Sequence, residues 1–219
     1  MKVKICGITT LADALFAARS GADMIGFNFW PRSKRYIATA AAAELCDRLR
    51  SELGDGCPAL IGVFVNAVVS DISRVMDVVG LDYAQLSGDE SDSVLRELRG
   101  IAFKGIRPAA LAQAEEDYAY FAPVMPEDTQ MPSLLLDASV SGQYGGTGRT
   151  AADEVVTWLV EKTPRLLLAG GLTPVNVAER IQTFRPWGVD VASGVEGDQP
   201  GIKDAHKVAA FIAAAHGAA

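Results

Sequence analysis

Histidine is the scarcest functional residue in this 219-residue chain: His206 and His216 are the only two, both near the C-terminus. A multi-histidine metal site or a histidine-centred triad would have to be assembled from that end, so acid and base work falls to carboxylates or a thiol, and no metal is expected. Cysteine is little commoner. Cys6, Cys46 and Cys57 form no C-x-x-C pair and are odd in number, which supports neither a zinc ribbon nor a disulfide framework. No uncharged apolar run approaches the roughly 18 residues of a membrane span, and Met1-Lys2-Val3-Lys4 leads into a strand-like stretch instead of a signal-peptide core. A cytoplasmic location without a membrane partner is therefore expected. Positive charge is short too: 20 Lys+Arg against 27 Asp+Glu leave a formal charge of -7, which repels nucleic acid unless a local patch overrides it.

What is present is core material. With 49% hydrophobic and 21% charged residues the chain is too apolar for an extended disordered protein, and its length suits one domain over residues 1–219. Short apolar runs alternate with segments of helical spacing, the pattern of repeated βα units around a parallel sheet. The strand candidates are Val3 to Ile8, Met24 to Phe29, Ala59 to Val65, Tyr83 to Leu86, Phe103 to Arg107, Ser133 to Asp137, Arg165 to Ala169 and Val189 to Ala192. Helical spacing follows them, as in Leu11 to Arg19, Ile72 to Val79, Ala151 to Glu161 and Lys203 to Ala215, and the alanine-rich stretch from Ala38 reads as helix through Leu49. Eight such units in this length predict a single (β/α)8 TIM barrel, with a doubly wound open sheet as the alternative. The C-terminal Ala213 to Ala219 is expected to fray.

In such a barrel the chemistry sits at the C-terminal strand ends and the loops beyond them. Cys6 shares strand parity with Lys4 and Lys2, so a Cys6 that points inward has an ammonium one layer beneath it, which favours thiolate. The competing reading is a small buried hydrophobe. Asp137 follows Leu134-Leu135-Leu136, where desolvation raises a carboxyl pKa and suits it to proton donation; the competing reading, an N-cap or a structural partner of a lysine, ranks behind it because a long glycine-rich loop follows. The long, glycine-rich Ser139 to Gly148 resembles a lid. Within it Gly146-Thr-Gly148-Arg-Thr-Ala151 formally matches G-x-G-x-x-A, but the next strand, Leu166-Leu-Leu-Ala-Gly, ends without an acidic residue for a ribose.

Gly170-Gly171 and Ser193-Gly194 fall after the seventh and eighth strands, where barrels commonly bind phosphate through backbone N–H groups. Turn chemistry is the plainer explanation, and it accounts for one such pair more easily than for two. Arg32, Lys34 and Arg35 form the densest cationic cluster on an acidic chain; solvated as a loop they need no function, but beside a phosphate cradle a fixed guanidinium would hold a second anion such as a carboxylate. Asn66, Gln85 and Asp190 also occupy strand ends.

Read together, Lys4-Ile-Cys6-Gly7-Ile-Thr9, Gly26-Phe27-Asn-Phe29 with Ser33-Lys-Arg35-Tyr, Gly62-Val-Phe-Val-Asn66, Gln85-Leu-Ser-Gly88, Leu136-Asp137, Tyr144-Gly-Gly-Thr-Gly148, Leu168-Ala-Gly-Gly-Leu172 and Val189-Asp190-Val-Ala-Ser-Gly-Val-Glu196 resemble the phosphoribosylanthranilate isomerases of tryptophan biosynthesis. The resemblance implies a cofactor-free aldose-ketose isomerase that rearranges N-(5'-phosphoribosyl)anthranilate to 1-(2-carboxyphenylamino)-1-deoxyribulose 5-phosphate. It also implies roles: Cys6 as general base, Asp137 as general acid, Arg35 on the anthranilate carboxylate, Gly170, Gly171, Ser193 and Gly194 on the phosphate, and Asp190 facing the sugar hydroxyls. The only partner implied is this small phosphosugar, and nothing in the sequence sets an oligomeric state.

The chain departs from the family pattern at Ser87, where histidine is common, at Lys34, where proline usually precedes the arginine, and at Ala152-Asp153-Glu154, where the family often reads Phe-Asp-Trp. The related isomerase of histidine biosynthesis resembles a two-aspartate pair, with an acid where Cys6 stands. Ribulose-phosphate epimerases lean on metal-ligating histidines, and a non-catalytic phosphate-binding barrel would have lost the acid or the base.

Overall fold

The apolar runs of the sequence become strands, and each is followed by a helix. A computed structural model describes residues 1–98, 100–138 and 151–218, with the side chains of residues 151 and 152 left aside. Its strands are β1 (Lys2–Cys6), β2 (Met24–Asn28), β3 (Ala59–Phe64), β4 (Tyr83–Leu86), β5 (Ala102–Ile106), β6 (Leu134–Asp137), β7 (Leu166–Ala169) and β8 (Gly188–Val191). The intervening helices are α1 (Leu11–Arg19), α2 (Thr39–Leu53), α3 (Val69–Val79), α4 (Asp92–Glu97), α5 (Leu111–Phe121), α6 (Ala151–Lys162), α7 (Val177–Phe184) and α8 (Ala205–Gly217).

All the strands pair in parallel and in chain order, and β8 returns to β1 through Lys2–Gly188, Val3–Val189, Lys4–Asp190 and Ile5–Val191. The sheet is therefore a closed barrel, and the open-sheet alternative falls. Strand alternation divides the core into two shells. Outward side chains such as Val3, Ile5, Ile25, Phe27 and Leu60 pack beneath the helices, while Met24, Ile61, Phe103, Leu135 and Leu167 fill the barrel itself. Helix α3 shows how the outer shell is built: Ile72, Val75, Met76 and Val79 lie at i, i+3, i+4 and i+7 and are all buried, each such side chain contributing about 1.5–3 kcal/mol.

Most boundaries fall within a residue or two of expectation, and at two places the difference has a plain physical reason. β1 stops at Cys6 instead of Ile8 because Gly7 turns left-handed at φ 73°, and the Gly7 and Ile8 N–H groups both donate to Gly26 O at 2.9 and 3.0 Å. Among the described residues the chain stays helical past Ala213: α8 runs to Gly217, anchored by buried Ala215 and by a 3.2 Å hydrogen bond between His216 Nε2 and Gly21 O. The expected lid at 139–148, with the G-x-G-x-x-A match that begins in it, lies outside the described residues up to the start of α6.

Candidate active site

Because β1 lies between β2 and β8, the loops that follow those two strands flank Cys6, the last residue of β1. Cys6 is 8% exposed and points into the barrel: a Cβ added at Gly26 would meet Cys6 Sγ at 2.9 Å and Lys4 Cε at 3.2 Å. Lys4 is thus beneath the thiol, as strand parity predicts. Its ammonium, fully buried, donates to Asp190 Oδ1 at 2.9 Å, and removing one partner of such a pair costs about 3–5 kcal/mol because the other charge stays buried. Burial works against the Lys4 charge, but Asp190 and Cys6 outweigh it and raise the lysine above its ordinary value.

The thiol itself corrects one expectation. Burial pushes Cys6 above the ordinary thiol value, and the opposing pull of Lys4, helped by Lys203, does not overcome it while Asp190 adds to the rise. A depressed thiol was expected from Lys4 alone, but desolvation of the thiolate is the larger effect here.

Asp137 ends β6 half-buried, on the same strand face as Leu135, which lies inside the barrel, so its carboxylate is directed to the interior. It stands beside Ala169 of β7.

Of the basic cluster after β2, the structure brings in Arg35 and leaves Arg32 and Lys34 exposed. The Arg35 stem crosses over Gly7, within 3.2 Å of where a Cβ would stand, which together with the positive φ accounts for glycine there. Its guanidinium is held by a residue given no role above: Glu196 accepts from Arg35 Nε at 2.6 Å and from Nη2 at 2.7 Å. Glu196 also accepts from Gly201 N–H at 2.9 Å and from Lys203 Nζ at 3.3 Å. Burial opposes the Glu196 charge, yet these donors together hold its carboxyl below the ordinary glutamate value.

On the other flank, Gly170 and Gly171 adopt φ 95° and 65° after β7, and the Asn176 side chain braces this turn by accepting from Thr173 N–H at 2.8 Å and donating to Gly171 O at 3.0 Å. Ser193 and Gly194 lie in a one-turn 3-10 helix, Ser193–Val195, after β8. Gly194 packs so closely on Leu172 that a Cβ would overlap its carbonyl, which brings the two glycine loops together.

Other flagged residues have different employment. Asn66, left-handed at φ 53°, accepts from Asp89 N–H at 2.6 Å and donates its own N–H to Glu90 Oε1 at 2.7 Å, so it ties the loop after β4. Gln85 Nε2 reaches Ser87 Oγ at 3.0 Å, the position where the family commonly has histidine. Asp153 accepts from Arg180 Nη1 at 2.7 Å, joining α6 to α7. Glu196, Lys203 and Asn176 are the site residues that sequence reasoning missed. Glu196 closes the Val189-to-Glu196 motif, but nothing in one sequence pairs it with Arg35.

Among the described residues no group of acidic, histidine or cysteine side chains is arranged to hold a metal ion, and no helix is long and apolar enough to cross a membrane. Fold and site together define a parallel (β/α)8 barrel whose carboxyl-end mouth gathers a buried thiol, a guanidinium held by a carboxylate and paired glycine loops.

Comparison with known proteins narrows the class. The sequence model described as N-(5'phosphoribosyl)anthranilate (PRA) isomerase matches residues 3–214. An N-(5'-phosphoribosyl)anthranilate isomerase of Roseiflexus sp. (strain RS-1) is 45% identical over 222 residues, covering 100% of this chain and 99% of its own. The crystal structure of phosphoribosyl anthranilate isomerase from Thermotoga maritima superposes with a TM-score of 0.83 at 36% identity, covering 99% of both chains. A phosphoribosyl anthranilate isomerase in complex with reduced 1-(o-carboxyphenylamino)-1-deoxyribulose 5-phosphate gives a TM-score of 0.80 at 34% identity, again covering 99% of both. This chain belongs to the phosphoribosylanthranilate isomerase family, and is thus an enzyme, an isomerase of tryptophan biosynthesis.

Proposed function

We propose that the chain converts N-(5'-phosphoribosyl)anthranilate to 1-(2-carboxyphenylamino)-1-deoxyribulose 5-phosphate as one domain, with Asp137 as the acid and Cys6 as the base. The observation that supports the reading is the convergence at the carboxyl end of β1 of the Cys6 thiol, of the Arg35 guanidinium that crosses Gly7 to reach Glu196, and of the glycine loops after β7 and β8, so that groups suited to two anions lie around one reacting group. Exposed Gly171 and Ser193 receive the phosphate through backbone N–H groups, and Arg35 takes the anthranilate carboxylate.

The chemistry balances within the substrate. Asp137 delivers a proton to the ribose ring oxygen as the bond from C1' to that oxygen breaks, and the nitrogen lone pair forms the C1'=N bond of a Schiff base. Cys6 as thiolate then takes the C2' proton, and the electron pair left behind moves through C1' to nitrogen, giving an enolamine. Protonation at C1' with loss of the C2' hydroxyl proton yields the ketone. The oxidation at C2' is matched by reduction at C1', so no external electron carrier is required. Asp190, held by Lys4, faces the sugar hydroxyls.

The test is the loss of anthranilate-type fluorescence when the purified protein is given freshly made phosphoribosylanthranilate. The wild type should consume it, whereas Cys6→Ser and Asp137→Asn, each with an unchanged circular dichroism spectrum, should be slower by about a hundredfold or more, the scale of losing a general base or acid. An inactive wild type overturns the assignment of substrate. A Cys6→Ser or Asp137→Asn enzyme within a few-fold of wild type removes that residue from the mechanism.

A further inference from the structure

Arginine carries five N–H donors in a planar fork with two usable edges. One edge joins Nε to Nη2, and the other joins Nη1 to Nη2. Glu196 occupies the first edge in full, with Oε1 on Nε at 2.6 Å and Oε2 on Nη2 at 2.7 Å. That contact leaves the Nη1–Nη2 edge, which has the same bidentate match to a carboxylate. It also fixes the plane in which that edge lies, something the long Arg35 side chain cannot do unaided.

Glu196 is itself immobilised from several directions. Its side chain is 7% exposed. Its N–H donates to Ser193 O at 3.1 Å, its carbonyl accepts from Lys207 Nζ at 2.8 Å, and it bridges Lys203 in an antiparallel pair. Lys203 Nζ, bonded to Ala192 O at 2.9 Å, completes the charge balance. Arg35 with Glu196 alone would be neutral and would offer an incoming anion little attraction, whereas two cations against one carboxylate leave a net positive charge.

Resting on the reading of Arg35 as the carboxylate ligand, we infer that Glu196 is the positioning residue that makes this site selective for a second, carboxylate-bearing end of the substrate. It holds one edge of the guanidinium so that the other faces the ligand. Glu196 follows Ser193 by three residues in the same loop, so it also sets the spacing between the carboxylate end and the phosphate end. The substrate class that fits is therefore a phosphosugar with a carboxylate at a set distance, and phosphosugars without that carboxylate gain nothing from this side of the mouth.

The test compares Glu196→Gln, Glu196→Asp, Arg35→Ala and the double variant Arg35→Ala/Glu196→Gln, reading KM and kcat for phosphoribosylanthranilate and competitive inhibition by inorganic phosphate. Glu196→Gln should raise KM by about tenfold or more while kcat falls by much less, and phosphate inhibition should stay within about twofold. Glu196→Asp keeps the charge but withdraws the carboxylate by one methylene, so it should show the same pattern with a smaller rise, and it carries the test if the glutamine variant does not fold. In the Arg35→Ala background the Glu196→Gln change should add nothing to KM. Phosphate inhibition weakened as much as substrate binding would mean that Glu196 only holds the loop, and the inference fails. A raised KM in Arg35→Ala with an unaltered KM in Glu196→Gln and Glu196→Asp overturns the inference alone. An unaltered KM in Arg35→Ala overturns the carboxylate assignment and the inference with it.

Discussion

Cys6 is a buried thiol above the buried ammonium of Lys4, and the balance between burial and nearby charge decides how it titrates. Burial outweighs Lys4 and Lys203, so the folded chain holds the thiol above its ordinary value and thiolate is scarce at neutral pH. The sign follows directly: for a base whose pKa is raised, the active form grows as pH rises. Alkylation of Cys6 by iodoacetamide, followed residue by residue by mass spectrometry, should therefore increase about tenfold per pH unit through the neutral range and level off only above the ordinary thiol value of about 8.5. A plateau of the alkylation rate below pH 7 would show that the ammonium groups dominate. Cys46 is a useful internal control, since burial pushes it up to about 12. Strand parity alone placed Lys4 under Cys6, because alternation is a local property. It could not supply the direction of the shift, which depends on how many other chains of atoms exclude water from the sulfur.

The elements that matter most are short turns. The 3-10 helix Ser193–Val195 and the turn after β7 are held together because Gly194 lets the Leu172 carbonyl approach. Gly194→Ala should force these loops apart. The expected result is a phosphate inhibition constant raised by at least about tenfold, with the barrel still folded, because the misfit is confined to the mouth. Isothermal titration with inorganic phosphate checks it, and unaltered affinity would remove the glycine contact from the site. At this scale the sequence was readable in its regular parts. Leu11 to Arg19 and Tyr83 to Leu86 match α1 and β4 residue for residue, since their apolar spacing is set by their own neighbours. The other end of the chain was not: α8 extends past Ala213 because Ala215 is buried in tertiary contacts.

At the scale of the molecule, closure depends on the β8–β1 seam. Gly188 pairs with Lys2, and a Cβ there would stand 2.8 Å from Lys2 O and 2.9 Å from Leu167 Cδ1. Backbone cannot yield as a side chain can, so Gly188→Ala should lower stability by about 1–3 kcal/mol, seen as a shifted urea midpoint. An unchanged midpoint would argue against this register at the seam.

The order of residues along the chain was enough to give eight alternating apolar and helical units, a scarcity of histidine, and a thiol and a carboxylate at strand ends. Each of these depends on residues close together in the chain, where periodicity and parity operate. Tertiary structure decided the closure of the sheet, the suppression of the Cys6 thiolate by burial and the grip of Glu196 on Arg35. Those two partners are 161 residues apart, and their encounter exists only because β8 returns to β1 and brings the loop after it against the loop after β2.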